Sequence, residues 1–246
     1  MIAPPLIAPF VVLAGVCVGS FAANAAVRRG RAEQALVGRS HCDGCDAPLS
    51  FTQSLPVVSF VRLGGVCANC GTRIDTAHLV GEIGGGLVAA CAILAGSPGR
   101  AVLLAALGFA LLASALADLK TRKLPDLLTL AAAVLAACLA VSSSLSALIE
   151  GCATAAIAFI VLEAVRRGFL YLRREPGLGF GDVKLVAALA LWLGLATPWA
   201  VALASVFGLA AFGIARPKDR RMAFGPSIAL AAWLVGMSRE VGWWRI

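Results

Sequence analysis

The chain has 246 residues, of which 60% are hydrophobic and only 14% charged, with a formal net charge of +8. Several apolar runs approach the roughly 20 residues needed to cross a bilayer, which excludes a soluble enzyme on a single anchor and indicates a polytopic membrane protein. The basic excess would suggest nucleic acid in a soluble chain. In a membrane protein it reports the side that the loops face, and no nucleic-acid partner is expected.

The apolar pattern predicts spans near 6–27, 78–96, 101–118, 126–142, 145–165, 183–197, 198–215 and 223–238. The pair around Thr197-Pro198 has one kinked segment as its alternative. The opening run from Ile2 to Val27 has no basic region ahead of it and no short signal-peptide core, so it reads as a retained first span. With eight spans, 18 of the 21 basic residues fall on one side, from Arg28 to Arg73, Lys120 to Lys123, Arg166 to Lys184 and Arg216 to Arg221. Arg100, Arg239 and Arg245 fall on the other. Basic loops stay cytoplasmic, so both termini are expected outside, with Trp243 and Trp244 as an interfacial anchor there. The expected fold is an all-α polytopic membrane protein of about eight transmembrane helices. Its predicted parts are a first span over 1–27, a small cytoplasmic zinc-ribbon-like domain over 28–77 and a membrane core over 78–246.

Within the loop domain, Cys42-Asp43-Gly44-Cys45 and Cys67-Ala68-Asn69-Cys70 form two C-x-x-C pairs, each suited to supply two thiolates to one tetrahedral ion. Two disulfides are the alternative, which a reducing cytoplasm disfavours. Four thiolates fill the coordination shell, so the expected zinc is structural; His41 is not expected as a ligand. Gly44 and Gly71 are expected to supply turn flexibility. Cys17, Cys91, Cys138 and Cys152, scattered singly, read as small buried hydrophobes.

Glycines 81, 84, 85 and 86 in the second span allow close helix approach. Glu82 lies among them, and an acidic group there must line a polar cavity or sit near the interface; the cavity is favoured. Glu163 reads as an ion-pair partner of Arg166 and Arg167, and Glu150 as a boundary residue needing no special role.

Asp118 ends the third span in the segment Asp118-Leu119-Lys120-Thr121-Arg122-Lys123-Leu124-Pro125-Asp126, where Asp126 after Pro125 looks like a helix cap. Asp182 opens another apolar run after Gly177, Gly179 and Gly181, whose freedom lets the backbone turn or approach a neighbour closely. Either aspartate alone has an ordinary explanation, a cap for Asp182 or a salt bridge for Asp118. Together they lie at one membrane depth on one side. Two carboxylates that converge share a proton, so one can act as base toward water while its protonated partner polarises a carbonyl. That aspartic-protease chemistry requires no metal at the reacting centre.

These residues resemble type IV prepilin peptidases. The resemblance is carried by Gly19-Ser20-Phe21, the two cysteine pairs, the 118–126 segment, Gly179-Phe180-Gly181-Asp182-Val183-Lys184-Leu185 and Phe224-Gly225-Pro226, in family order over nearly the whole chain. It implies an aspartic endopeptidase of the bacterial inner membrane that removes the short basic leader of type IV prepilins or type II secretion pseudopilins after a glycine, at the cytoplasmic face. It also implies Asp118 and Asp182 as the catalytic pair, with Gly179, Gly181 and Lys184 shaping the loop. Many members also methylate the new amino terminus with S-adenosylmethionine. The chain departs from the family pattern at Asn24, one place late, and at Gln53-Ser54, where an acidic-Asn pair is expected. The resemblance therefore bears on proteolysis more directly than on methylation. Two other readings carry no protease: a non-catalytic membrane assembly factor, and a transporter relaying protons through Asp118, Asp182 and Glu82.

Overall fold

The computed structural model describes residues 6–27, 40–174, 177–216 and 222–243. The loop residues Arg28, Arg29, Arg31, Arg39, Lys218, Arg220 and Arg221, and Trp244 and Arg245 near the end, lie outside them. The described residues are helical, with isolated β-bridges at His41–Pro48 and Val66–Arg73. In chain order the helices are α1 (Ala8–Val27), α2 (Val58–Arg62), α3 (Thr76–Ala92), α4 (Pro98–Thr121), α5 (Asp126–Ser143), α6 (Leu145–Arg173), α7 (Phe180–Leu193), α8 (Thr197–Ala215) and α9 (Gly225–Glu240).

Each predicted span coincides with a helix, and among the described residues five segments are long and apolar enough to cross a membrane: α1, α4, α5, α6 and the continuous run Phe180–Ala215. The chain is thus a multi-pass membrane protein, and helix length and composition alone pick out five of its segments. The shortfall is physical. At 1.5 Å per residue the 14 residues of α7 and the 16 of α9 reach about 21 and 24 Å, short of a hydrocarbon core of about 30 Å.

The Phe180–Ala215 run is not one kinked rod. Gly194 adopts φ +51° and ψ −133°, a conformation suited to glycine, and a 3₁₀ turn over Gly194–Ala196 leads into α8. Asp182, Val186 and Leu193 of α7 and Thr197, Ala200 and Ala204 of α8 then line one small cavity of about 30 Å³. In a straight helix Asp182 and Ala204 would stand about 33 Å apart. The two helices therefore fold back along each other.

The described residues form two compact units that divide between Ala90 and Cys91. In the first, α1 packs on α3 through glycines. A Cβ at Gly81 would lie 2.7 Å from the Gly19 carbonyl oxygen and 2.8 Å from Ala23 Cβ, and one at Gly85 would lie 2.9 Å from Gly19 Cα. Backbones approach this closely only where both faces carry small residues at four-residue spacing. Gly81 and Gly85 thus do what the sequence suggests.

In the second unit, α4, α5, α7 and α9 enclose the core. Leu104, Leu107, Leu111, Leu139, Leu185 and Leu189 are almost fully buried, as are Ala231 and Ala232 of α9. At the end away from Asp118 and Asp182, one polar knot ties these helices. Arg100 on α4 makes two bonds to Glu240 on α9, Nε to Oε2 at 2.6 Å and Nη2 to Oε1 at 2.7 Å. It also donates to the Leu139 carbonyl and the Ser142 hydroxyl of α5. Trp192 Nε1 of α7 donates to the same Glu240 at 3.0 Å, and Arg239 donates to the Trp192 and Leu193 carbonyls. Glu150, read from the sequence as needing no role, accepts the Leu195 amide at 3.0 Å and so secures the α7–α8 turn. A bidentate arginine–carboxylate pair has the geometry to hold helices in register inside an apolar setting.

Overpacking a tight interface costs about 1–3 kcal/mol. Gly81→Val should lower the melting temperature of the detergent-solubilised protein by several degrees. Gly96→Ala, where an added Cβ meets nothing within 4 Å, should leave it unchanged; equal effects would contradict the glycine interface.

Candidate active site

Asp118 sits in the last turn of α4, which closes with Arg122 in the left-handed region at φ +52° and the Arg122 amide on the Asp118 carbonyl at 2.8 Å. Its side chain is buried, 5% exposed, and its Oδ2 accepts a hydrogen bond from the Gly225 amide at 2.8 Å. The donor is available because the first amides of a helix have no intrahelical acceptor, and Pro226 occupies the first turn, where its missing N–H costs nothing. A Cβ at position 225 would stand 2.8 Å from Asp118 Oδ2 and 3.1 Å from Asp118 Cβ, so glycine alone admits this approach. Phe224-Gly225-Pro226 thus has a function that motif reading left blank. A glycine directly ahead of a helix-starting proline was the available signal.

Asp182 lies in the first turn of α7, whose N-cap is Gly179. Its amide donates to the Gly179 carbonyl at 3.1 Å, and its carboxylate folds back over the same glycine, where a Cβ would stand 2.8 Å from Oδ2. Asp182 therefore is not the cap residue. Nor do Gly177, Gly179 and Gly181 turn the chain through the left-handed region, since none has positive φ. They permit close approach: Gly177 to the Phe169 ring, Gly179 to the Asp182 carboxylate and Gly181 to Leu124 Cβ.

Leu124 joins the two sites. Its side chain packs against Gly181 beside Asp182 and against Gly225 beside Asp118. Asp118 is buried and Asp182 half-buried, and each stands beside a glycine that Leu124 touches. The small apolar cavity shared by α7 and α8 begins at Asp182 and includes Phe224 and Ile228.

The Lys184 ammonium pairs with Asp126 and lies 5.2 Å from the centre of the Phe180 ring. Asp126 is accordingly the first residue of α5 and a lysine partner, not a side-chain cap. Arg166 covers Phe180 at 5.2 Å and is itself held by Glu163, Nε to Oε2 at 2.7 Å, with Arg167 on the other oxygen at 2.7 Å. Phe159 meets Phe180 edge-on at 6.3 Å. The residue between the two glycines is thus gripped by two cations and a ring, which fixes the start of α7.

In the other unit, Cys42, Cys45, Cys67 and Cys70 gather so that all four sulfurs lie within 4.8 Å of one another, an arrangement that could hold a metal ion. All four are free of disulfides. The two knuckles share one design: the Cys42 amide bonds the Ala47 carbonyl as Cys67 bonds Thr72, and the Gly44 and Asn69 amides each point at a sulfur at 3.4 Å. The left-handed residues are Asp46 and Gly71. Gly44, expected as a flexible turn, instead lies against Thr72, whose hydroxyl oxygen would be 2.9 Å from an added Cβ. The Thr72 hydroxyl and amide pull the Cys70 thiol down to about 6. Cys45 is pushed up to about 12: the Ala47 amide favours its thiolate, but the neighbouring Cys70 and Cys42 sulfurs outweigh it. A divalent cation would relieve that crowding by favouring thiolates throughout.

Glu82 is buried on the wall of a cavity of about 340 Å³ in this unit. Its Oε1 accepts the Ser20 hydroxyl at 2.8 Å and its Oε2 the Val57 amide at 2.6 Å. Val57 stands at φ +60° and ψ −50°, a conformation a β-branched residue avoids. Such outliers cost about 1–3 kcal/mol and persist only where the surroundings enforce them. The sequence pointed to Glu82 in a cavity; the strain at Val57 it did not reveal.

Residues 104–214 match the model of the type IV leader peptidase family, and residues 13–95 match that of the bacterial peptidase A24 N-terminal domain. The chain is similar to a protein of Burkholderia pseudomallei named prepilin leader peptidase/N-methyltransferase, 34% identical over 200 residues, covering 78% of this chain and 65% of the relative. Proteins of the same name are 30% identical in Neisseria gonorrhoeae, covering 83% of this chain and 74% of the relative, and 32% identical in Dichelobacter nodosus, covering 81% and 71%. No solved structure matches. Two family models in their order along the chain, and relatives at these identities, show that the chain belongs to the type IV leader peptidase family.

Proposed function

We propose that the protein is an aspartic endopeptidase that removes the short basic leader of type IV prepilins or type II secretion pseudopilins, with Asp118 and Asp182 as its catalytic pair. The observation that carries this reading is the placement of both aspartates beside glycines that share Leu124, with the Gly225 amide on Asp118. In the proposed mechanism the pair shares one proton. The ionised member takes a proton from water as the water attacks the scissile carbonyl, and the protonated member donates a hydrogen bond to the developing oxyanion. Gly179, Gly181 and Lys184 support the loop: Gly179 by giving the Asp182 carboxylate room, Gly181 by admitting Leu124, and Lys184 by tying α7 to Asp126. The small apolar cavity running from Asp182 toward Ile228 suits an apolar segment entering beside the scissile bond.

The proposed setting is the bacterial inner membrane, with the pair at the cytoplasmic side and eight crossings in all, α3, α7 and α9 being short ones. We assign the four-cysteine cluster to structural zinc. A tetrahedral ion with sulfur bonds of about 2.3 Å has sulfur–sulfur edges of about 3.8 Å, and Cys42 and Cys70 are 3.8 Å apart. Methylation of the new amino terminus belongs to the same proposal, S-adenosylmethionine supplying the methyl group when bound.

Asp118→Asn and Asp182→Asn should each lower prepilin cleavage, read by mass spectrometry, by about 100-fold to 10,000-fold, without loss of membrane insertion. Appreciable cleavage by either variant removes that residue from the pair. Elemental analysis should give about one zinc per chain, lost in Cys42→Ser and Cys67→Ser; a metal-free, folded amino-terminal unit would rule the assignment out. A reporter fused after Ile246 should be active only outside the cytoplasm, and cytoplasmic activity would overturn the eight crossings.

A further inference from the structure

The charged residues of the carboxyl-terminal helices lie at two levels. Along α4, Arg100 and Asp118 are 18 positions apart, about 27 Å of helix rise, with no charged residue between them. On α6 the stretch between Glu150 and Glu163 is likewise uncharged. The separation on α4 is close to the hydrocarbon thickness of a bilayer, about 30 Å. Trp199 at the start of α8 and Trp243 after α9, both exposed, belong to the Arg100 level, as interfacial tryptophans do. The end of the unit away from the aspartates thus has the setting of a lipid headgroup layer.

At that level a cavity of about 360 Å³ opens among α4, α5, α6, α7 and α9, a size that suits a small ligand group. Its lining holds two arginines, Arg100 and Arg239, and two glutamates, Glu150 and Glu240, so its charge balances. Arg100 and Glu240 satisfy each other through two hydrogen bonds. Arg239 and Glu150 form no ion pair with each other. Each is held instead by the backbone of one turn: Arg239 Nη1 donates to the Trp192 and Leu193 carbonyls, and Glu150 Oε1 accepts the Leu195 amide. Leu193 and Leu195 are two positions apart, at most about 7.6 Å between Cα atoms. Unlike charges therefore stand side by side on the cavity wall. Among the described residues, Arg239 Nε and Nη2 and Glu150 Oε2 have no bonding partner.

Two unlike charges held apart at one cavity match a ligand that carries both. We propose that this cavity binds the phosphoethanolamine headgroup of a phospholipid, its phosphate on Arg239 and its ammonium on Glu150. Arg239 offers the planar fork that fits a phosphate, and a primary ammonium can donate to the remaining carboxylate oxygen. A purely anionic headgroup would leave Glu150 facing negative charge. Leu145, Ile149 and Leu195, exposed beside the lining residues, give acyl chains an apolar path, which favours a lipid over a soluble zwitterion. The inference stands apart from the peptidase reading and needs neither aspartate.

The test is native mass spectrometry of the full chain in detergent, titrated with phosphatidylethanolamine, phosphatidylglycerol and phosphatidylcholine of identical acyl chains. Wild type should bind phosphatidylethanolamine at least tenfold more tightly than either of the others. Glu150→Gln, which keeps an acceptor for the Leu195 amide, should lose that preference while binding phosphatidylglycerol no more weakly. Arg239→Gln should weaken both of these lipids. Melting temperature in lipid-free detergent reports whether the variants are folded. Independently of any variant, a phosphatidylethanolamine photoreactive near its glycerol should label wild-type peptides from 145–150, 192–199 or 239–243. Equal binding of the three lipids by wild type, a preference kept in folded Glu150→Gln, or label confined to other peptides overturns the site. Competition by glycerophosphoethanolamine at the same concentration as the lipid would overturn the lipid in favour of a soluble zwitterion.

Discussion

The hydrogen bond from the Gly225 amide to Asp118 is the contact on which the carboxyl-terminal unit depends. A carboxylate buried among apolar helices must find its donor inside the protein, because no water is at hand to supply one. Here the donor is the first turn of a helix, a place where amides are free by construction. That choice dictates much else. Residue 225 must lack a side chain, proline must follow to start the helix without wasting a donor, and α9 must begin at the depth where α4 ends. Leu124, closing the short connection from α4, then seats itself against the same glycine and against Gly181.

Much of this was legible in the chain because membrane proteins write their constraints in composition. Apolar runs located every long helix, Glu163 lay beside the arginines it pairs with, and the two C-x-x-C pairs marked a cluster that the fold draws together. The crossings were harder, since hydropathy does not register that α7 and α9 stop after only 14 and 16 helical residues. Roles that depend on a distant partner were also hidden. Asp126 looked like a cap because caps are local, whereas its partner Lys184 is 58 positions away. Glu150 looked like a boundary residue for the same reason, its partner being the Leu195 amide. The glycines before Asp182 were visible as glycines, but whether they turn or yield space is decided by neighbours that pattern cannot name.

The amino-terminal unit follows a related logic with different means. Interleaved glycines on α1 and α3 bring two helix backbones together and place Ser20 beside Glu82. The carboxylate then reaches the connecting segment and fixes Val57. The metal cluster stands on the lining of the same cavity, through Cys42 and Cys67. A metal held by the four sulfurs would therefore fix part of that cavity's wall.

The polar ties of the other unit have an asymmetry. Near the aspartates they run in two pairs, α4 with α9 through Asp118 and Gly225, and α5 with α7 through Asp126 and Lys184. At the far end one knot of Arg100, Glu240 and Trp192 gathers all four helices. The connection 122–125 from α4 to α5 also ties the two pairs to each other at the aspartate end, so both ends of the unit are fastened and neither aspartate stands on a free arm.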